Sequence, residues 1–135
     1  MPEQPERPLP LFPEPDTAPF WAATAEHRLT CQVCRSCGQV VFHPRRHCTG
    51  CTSGNLEWRD SAGAGTVYTY TVIRQHGHPF FRARLPYVVG LIDLDEGFRM
   101  LAEIAADPQA LRVNQRVTVT WEDHAELSVP VFEPQ

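Results

Sequence analysis

The chain is 135 residues long, with 42% hydrophobic and 21% charged residues, a globular balance that allows one compact domain or a small module beside one modest core. Its formal net charge is -4, the wrong sign for a general nucleic-acid binder. All 12 basic residues are Arg, so neither a P-loop nucleotide site nor a Schiff-base mechanism, each of which needs a lysine amine, resides in this polypeptide alone.

Residues 1–15 carry Pro2, Pro5, Pro8, Pro10, Pro13 and Pro15. Proline fixes φ and removes donors, so this stretch reads as an extended arm. Leu9, Leu11 and Phe12 are unusual in a solvated tail and lie either on a partner or on the protein's own surface. The acids and prolines of this opening do not make a signal peptide, and no apolar run reaches the roughly 18 residues of a membrane span. The expectation is a cytoplasmic chain.

Residues 16–28 form an N-terminal helical region, with Asp16 or Thr17 as cap, Pro19 in the first turn and a helix over about Ala18 to Glu26. Phe20 and Trp21 supply its apolar surface.

Residues 29–56 hold Cys34-x-x-Cys37-Gly38, ten further residues from Gly38 to His47, and Cys48-x-x-Cys51. Two such pairs place four thiolates around one ion, and zinc accepts that tetrahedral set without redox cost. Gly38 and Gly50 permit the positive φ of tight metal-binding turns. Val40 to Phe42 make a short strand between the pairs, giving a zinc ribbon. With all four positions filled by Cys34, Cys37, Cys48 and Cys51, the Zn2+ has no place for water or substrate and is structural. Cys31 is also spaced for pairing with Cys34, and His43 and His47 flank the hairpin as alternative ligands. Glycine after Cys37 favours the first set and leaves Cys31 as a spare, partly buried thiol.

Residues 57–135 read as strands. Glu57–Ser61 is anchored by Trp58, and Ala62–Gly65 is a turn. Thr66–Ile73 alternates strictly, with Val67, Thr69 and Thr71 on one face and Tyr68, Tyr70 and Val72 on the other. After a loop from Arg74 to Leu85, Tyr87–Leu94 is an apolar strand expected to be buried on both faces. Asp95-Glu96-Gly97 turns into Phe98–Ala105, Asp107–Leu111 makes one helical turn, Arg116–Trp121 is the last long strand, and Val129–Phe132 closes the sheet. This order suits a Greek-key barrel of the OB type. The fold class is therefore mainly β: a short N-terminal helix, a rubredoxin-like zinc ribbon and a C-terminal OB-fold barrel.

The succession Pro19-Phe20-Trp21, Cys34-x-x-Cys37-Gly38, Pro44, Cys48-x-x-Cys51, Gly65-Thr66-Val67-Tyr68, Pro86-Tyr87-Val88-Val89 and Leu94-Asp95-Glu96-Gly97 resembles the zinc-ribbon-plus-OB-fold family of acyl-CoA metabolism, a family long known as a domain of unknown function. The resemblance runs from about Asp16 to Phe132. It implies a non-catalytic accessory subunit that binds a lipid-transfer-protein-like, thiolase-fold aldolase or thiolase in a hetero-oligomer. The implied chemistry is acyl-CoA thioester processing, with steroid side-chain degradation as its narrowest form.

Arg74, Arg82 and Arg84 lie on one loop with Phe80 and Phe81 between them, a pattern suited to acyl-CoA phosphates and adenine or to a partner surface. The bland account is a solvated loop whose arginines pair with acids. Two other functions are open to such a sequence. A nucleic-acid-binding ribbon and barrel would use Trp58, Tyr68 and Tyr70 as stacking platforms, but the acidic balance opposes it. Independent catalysis would need the carboxylates of Asp93, Asp95 and Glu96, the His76/His78 pair, or Asp123-His124, and no nucleophile is organised beside any of them.

Overall fold

The computed structural model describes residues 5–10 and 14–135. Leu11 and Phe12, two of the three apolar residues noted in the arm, lie outside the described residues.

Helix α1 (Ala18–Thr24) starts with Pro19 in its first turn, where a missing N–H costs nothing. Thr17 is the N-cap but makes no side-chain cap bond, and Asp16 pairs with Arg46 at 3.2 Å instead. The helix ends two residues short of Glu26. It buries Phe20, whose ring meets Phe42 at 5.8 Å, and Phe42 in turn meets Phe98 at 5.0 Å. These three rings join helix, ribbon and barrel, the first pair edge-on, as aromatic quadrupoles favour, and the second tilted by 30°. Thr24 is fully buried; its hydroxyl donates to the Trp21 carbonyl at 2.6 Å and accepts from the Ser128 amide at 3.2 Å.

The ribbon sheet has β1 (Leu29–Cys34) in the middle, with β2 (Val40–Val41) on one side and β3 (Leu56–Ser61) on the other, both antiparallel. All six residues of β1 are buried. The segment from Glu57 to Ser61, read from sequence as the start of the barrel region, pairs with β1 from Leu29↔Ser61 to Cys34↔Leu56. Its strand character is legible locally; its partner depends on long-range packing.

The barrel follows: β4 (Ala64–Ile73), β5 (Tyr87–Leu94), β6 (Arg99–Ile104), β7 (Arg116–Asp123) and β8 (Ser128–Pro134). They close in the order β4-β5-β6-β8-β7, with β7 returning to β4 and β8 running parallel to β6. That closed five-stranded circuit, with a single turn at Asp107–Leu111 between β6 and β7, is the OB topology. Val67, Val88, Ile92, Ile104, Val117 and Phe132 fill the interior, and the same core takes in Phe20, Leu29 and Cys31.

Two strand expectations are corrected. Strict alternation in β4 fails because the ladder to β5 shifts register between Val67 and Thr69. The extra residue is a β-bulge, which turns Tyr68 outward and brings Tyr70 and Val72 onto the inner face with Val67. The apolar run of β5 is not buried on both faces. Val88, Gly90, Ile92 and Leu94 face the core, while Tyr87, Val89, Leu91 and Asp93 are half-buried on the outside.

Candidate metal centre and barrel mouth

The sulfurs of Cys34, Cys37, Cys48 and Cys51 all lie within 4.8 Å of one another. Cys34 and Cys51 are 3.6 Å apart, as are Cys37 and Cys48, far beyond a disulfide bond. A tetrahedron with metal–sulfur bonds of about 2.3 Å has edges of about 3.8 Å, so the four sulfurs fit one zinc with no open position. The turns that present them are alike. The Gly38 amide donates to the Cys34 carbonyl at 2.8 Å, and the Thr52 amide donates to the Cys48 carbonyl at 3.0 Å. Gly38 takes a φ of 79° there, but in the second turn the left-handed residue is Thr52, at 65°, and not Gly50. At Gly50 the backbone passes close to the Gln39 side chain: a Cβ there would stand 2.1 Å from its oxygen and the exposed Gln39 would have to turn aside.

Backbone N–H groups, that of Cys37 foremost, hold the Cys34 thiol down to about 6. Those of Cys51 and Gly50 likewise lower Cys48. The first cysteine of each turn is therefore favoured as thiolate, the form that zinc binds, whereas Cys37 is pushed up to about 12, the Gln39 amide being outweighed by the neighbouring sulfurs of Cys48 and Cys51. Cys31, three residues before Cys34 on β1, points into the barrel core, where burial pushes its thiol up to about 11. Among the described residues neither His43 nor His47 joins the sulfurs.

The carboxylates considered for catalysis are structural. Arg99 donates to both oxygens of Asp93, at 2.6 and 3.1 Å, and Arg116 to both of Asp95, at 2.7 Å each. Glu96 accepts from the Ser61 hydroxyl at 2.5 Å and the Ala62 amide at 2.9 Å, pinning the joint between ribbon and barrel. Arg116, through its hydrogen bonds first, holds the Asp95 carboxyl below the usual range. A depressed folded pKa stabilises above the unfolded value and is lost as pH falls through the folded one. The stability difference between the wild type and Asp95→Asn should therefore be constant at neutral pH and shrink as the pH drops below about 4; chemical melts across that range check it. A difference unchanged down to about pH 2 would refute the assignment.

The two histidines of the β4–β5 loop are also committed. His78 caps the short helix α2 (Pro79–Arg82) by accepting from the Phe80 amide at 3.1 Å, and the His76 ring meets that of Phe81 at 4.6 Å in a tilted contact. Asp123 accepts from Ser128 at 2.7 Å and contacts His27, while His124 contacts Glu122 at 2.8 Å. Among the described residues no pair of these groups faces an organised nucleophile.

The five residues singled out on that loop are brought only partly together. Arg84 donates to Glu122 and Glu103, at 3.0 Å each, and its guanidinium lies 5.1 Å from the Phe80 ring centre. Arg82 is tied to the Gly77 carbonyl at 2.7 Å. Arg74 makes no side-chain hydrogen bond or ion pair among the described residues. Sequence reasoning missed Arg7, Glu103 and Glu122. Arg7 reaches across from the arm to both carboxylates, bonding Glu103 at 3.2 Å and Glu122 more closely, and lies 4.9 Å from the Phe80 centre and 5.2 Å from that of Phe81. Proline spacing in the arm was the one local signal.

A closed OB barrel carrying a four-cysteine knuckle pair defines the class: a zinc-ribbon OB-fold protein. Comparison with known proteins narrows it. The ChsH2 rubredoxin-like zinc ribbon domain matches residues 21–57, and the ChsH2 C-terminal OB-fold domain matches residues 58–122. A DUF35 domain-containing scaffold protein of Methanothermobacter thermautotrophicus is 32% identical over 97 residues, which are 70% of this chain and 72% of that protein. The "Probable enoyl-CoA hydratase alpha subunit" of Thermomonospora curvata is 34% identical over 135 residues, covering 96% of this chain but only 42% of the relative's length. Among solved structures, the "Ltp2-ChsH2(DUF35) aldolase" superposes with a TM-score of 0.84 at 32% identity, over 93% of this chain and 98% of that one. The chain belongs to the DUF35 family, with the ChsH2-type zinc ribbon and OB fold, and its zinc is structural. Among the described residues no helix is long and apolar enough to cross a membrane.

Proposed function

We propose that this chain is a non-catalytic accessory subunit that docks on a thiolase-fold aldolase or thiolase and supports the processing of acyl-CoA thioesters, with Cys34, Cys37, Cys48 and Cys51 as its zinc ligands. The observation that carries the reading is the likeness along 98% of the chain of the Ltp2-ChsH2(DUF35) aldolase at 32% identity. The engagement of Asp93, Asp95, Glu96, His76 and His78 in structural bonds supports the non-catalytic half.

In this reading the loop of Arg74, Phe80, Phe81, Arg82 and Arg84 is the contact for partner or acyl-CoA. Arg74 is the guanidinium available for a CoA phosphate, since Arg82 and Arg84 are occupied. Steroid side chains are the narrowest substrate class. A nucleic-acid function finds no support at the barrel mouth, where Arg7 and Arg84 are taken up by Glu103 and Glu122, and the net charge of -4 opposes it.

Affinity purification from the native host with mass spectrometry of the co-eluting proteins tests the proposal. A thiolase-fold protein at near-stoichiometric yield is expected. Recovery of nucleic acid, or of no protein partner at low salt, would overturn it, and a hydratase alone would replace the partner class.

A further inference from the structure

The arm is not a free tail where it is described. Arg7 and Leu9 are half-buried while Pro5, Glu6, Pro8 and Pro10 are exposed, so alternate residues face the barrel. The Arg7 side chain is only 10% exposed. It sits between carboxylates from two strands, Glu103 on β6 and Glu122 on β7, with the rings of Phe80 and Phe81 from α2 over its guanidinium. Leu9 lies in the adjoining groove with Phe80, His124 and Ala125.

This arrangement has the parts of an arginine-recognition site. Carboxylates accept the planar fork of donors, and aromatic faces attract the delocalised cation. Burial works against the charged form of Glu122, yet Arg7, His124 and Arg84 together hold its carboxyl below the usual range. The groups facing Arg7 are thus Glu103 and Glu122, with Arg84 and His124 bonded to the same carboxylates. Arg84 alone answers one of the two negative charges; the second needs a further cation. An anion such as a phosphate would meet the wrong sign there.

The occupant is held by non-covalent contacts from a segment some hundred residues away in sequence. Alternating prolines keep that segment extended with little conformational entropy to lose on seating. We propose that Glu103, Glu122, Phe80 and Phe81 form a recognition site for an extended segment carrying an arginine and, two residues on, an apolar side chain, whose occupant is this chain's own arm, seated through Arg7 and Leu9 by contacts that exchange with the same segment supplied in trans. The site does not depend on what the partner catalyses, so its test is separate from the co-purification.

The test is a competition in trans. A fluorescent synthetic peptide of residues 1–13 is titrated with the full-length wild type and with full-length Arg7→Ala. The variant should bind the peptide at least about tenfold more tightly than the wild type, whose own arm competes. A peptide carrying Arg7→Ala should not bind, and adding Glu122→Gln to the Arg7→Ala protein should abolish capture of the natural peptide. Circular dichroism establishes that the variants are folded. If Arg7→Ala does not fold, Arg7→Lys takes its place, because lysine keeps the charge but loses the fork and should release the arm in part. Equal binding by wild type and a folded variant, no binding by either, or binding indifferent to Glu122→Gln would each overturn the proposal.

Discussion

Cys48→Ser should empty the metal centre and melt the ribbon. Cys48 is 2% exposed and its sulfur is 3.6 Å from that of Cys37, so the thiolate cannot be replaced from solvent without opening the turn. The metal-binding end of the ribbon has little else to hold it. Its own buried cluster is Cys34, Val41 and Cys48 with Leu56 against them, and β2 is two residues long. Structural zinc in small modules supplies on the order of 10–16 kcal/mol, more than such a cluster can replace. Elemental analysis should find about one zinc per wild-type chain and close to none in the variant. Cys31→Ser is the matched control: it should keep its zinc and lose only stability, because Cys31 packs in the barrel core. A Cys48→Ser protein that retains one tightly held zinc would refute the ligand set.

Phe132→Ala should cost about 3–5 kcal/mol, the range for emptying a buried aromatic site. Phe132 is fully buried on β8, opposite Val119 of β7 and Ile104 of β6, at the point where three strands meet. Its backbone is fixed on both sides, and its carbonyl accepts from the Ala105 amide at 2.7 Å, so the cavity cannot collapse easily. Urea melts should show a lower midpoint with an unchanged slope. Leu101→Ala, at a site 65% exposed, should stay within about 0.5 kcal/mol of the wild type. A loss at Phe132 no larger than that at Leu101 would mean that the barrel is not the core of the molecule.

The zinc ribbon and the order of the barrel strands were legible because their signals are local. Cysteine spacing, the run of β-branched and aromatic residues in β4 and the Asp95-Glu96-Gly97 turn each act over a few residues. What the sequence hid depends on distance. The bulge at Tyr68 is decided by the fit of β4 to β5, and the outward half of β5 by the closure of the barrel, which leaves only one face of the strand in the core. The pairing of β3 with β1 likewise follows from the buried centre of the ribbon sheet. At the barrel mouth, Arg74, Arg82 and Arg84 look equivalent in sequence, yet one is bound to carboxylates, one to its own loop and one to neither. Arg7 finds Glu103 and Glu122 across most of the chain, a match that no window of neighbouring residues contains.

The five seams of the barrel are unequal. β4 and β5 are laced from Gly65↔Leu94 to Ile73↔Tyr87, whereas β6 and β8 meet in parallel only at Glu103↔Val131 and Ile104↔Phe132. Parting that short seam sacrifices the fewest ladder bonds, so thermal breathing of the cylinder concentrates there. Glu103 stands on the seam and is also clasped by Arg7 and Arg84, which reach it from outside the sheet. The arm thus works as a latch on the weakest closure of the barrel, and its departure would loosen the cylinder along one line while leaving the other four seams intact.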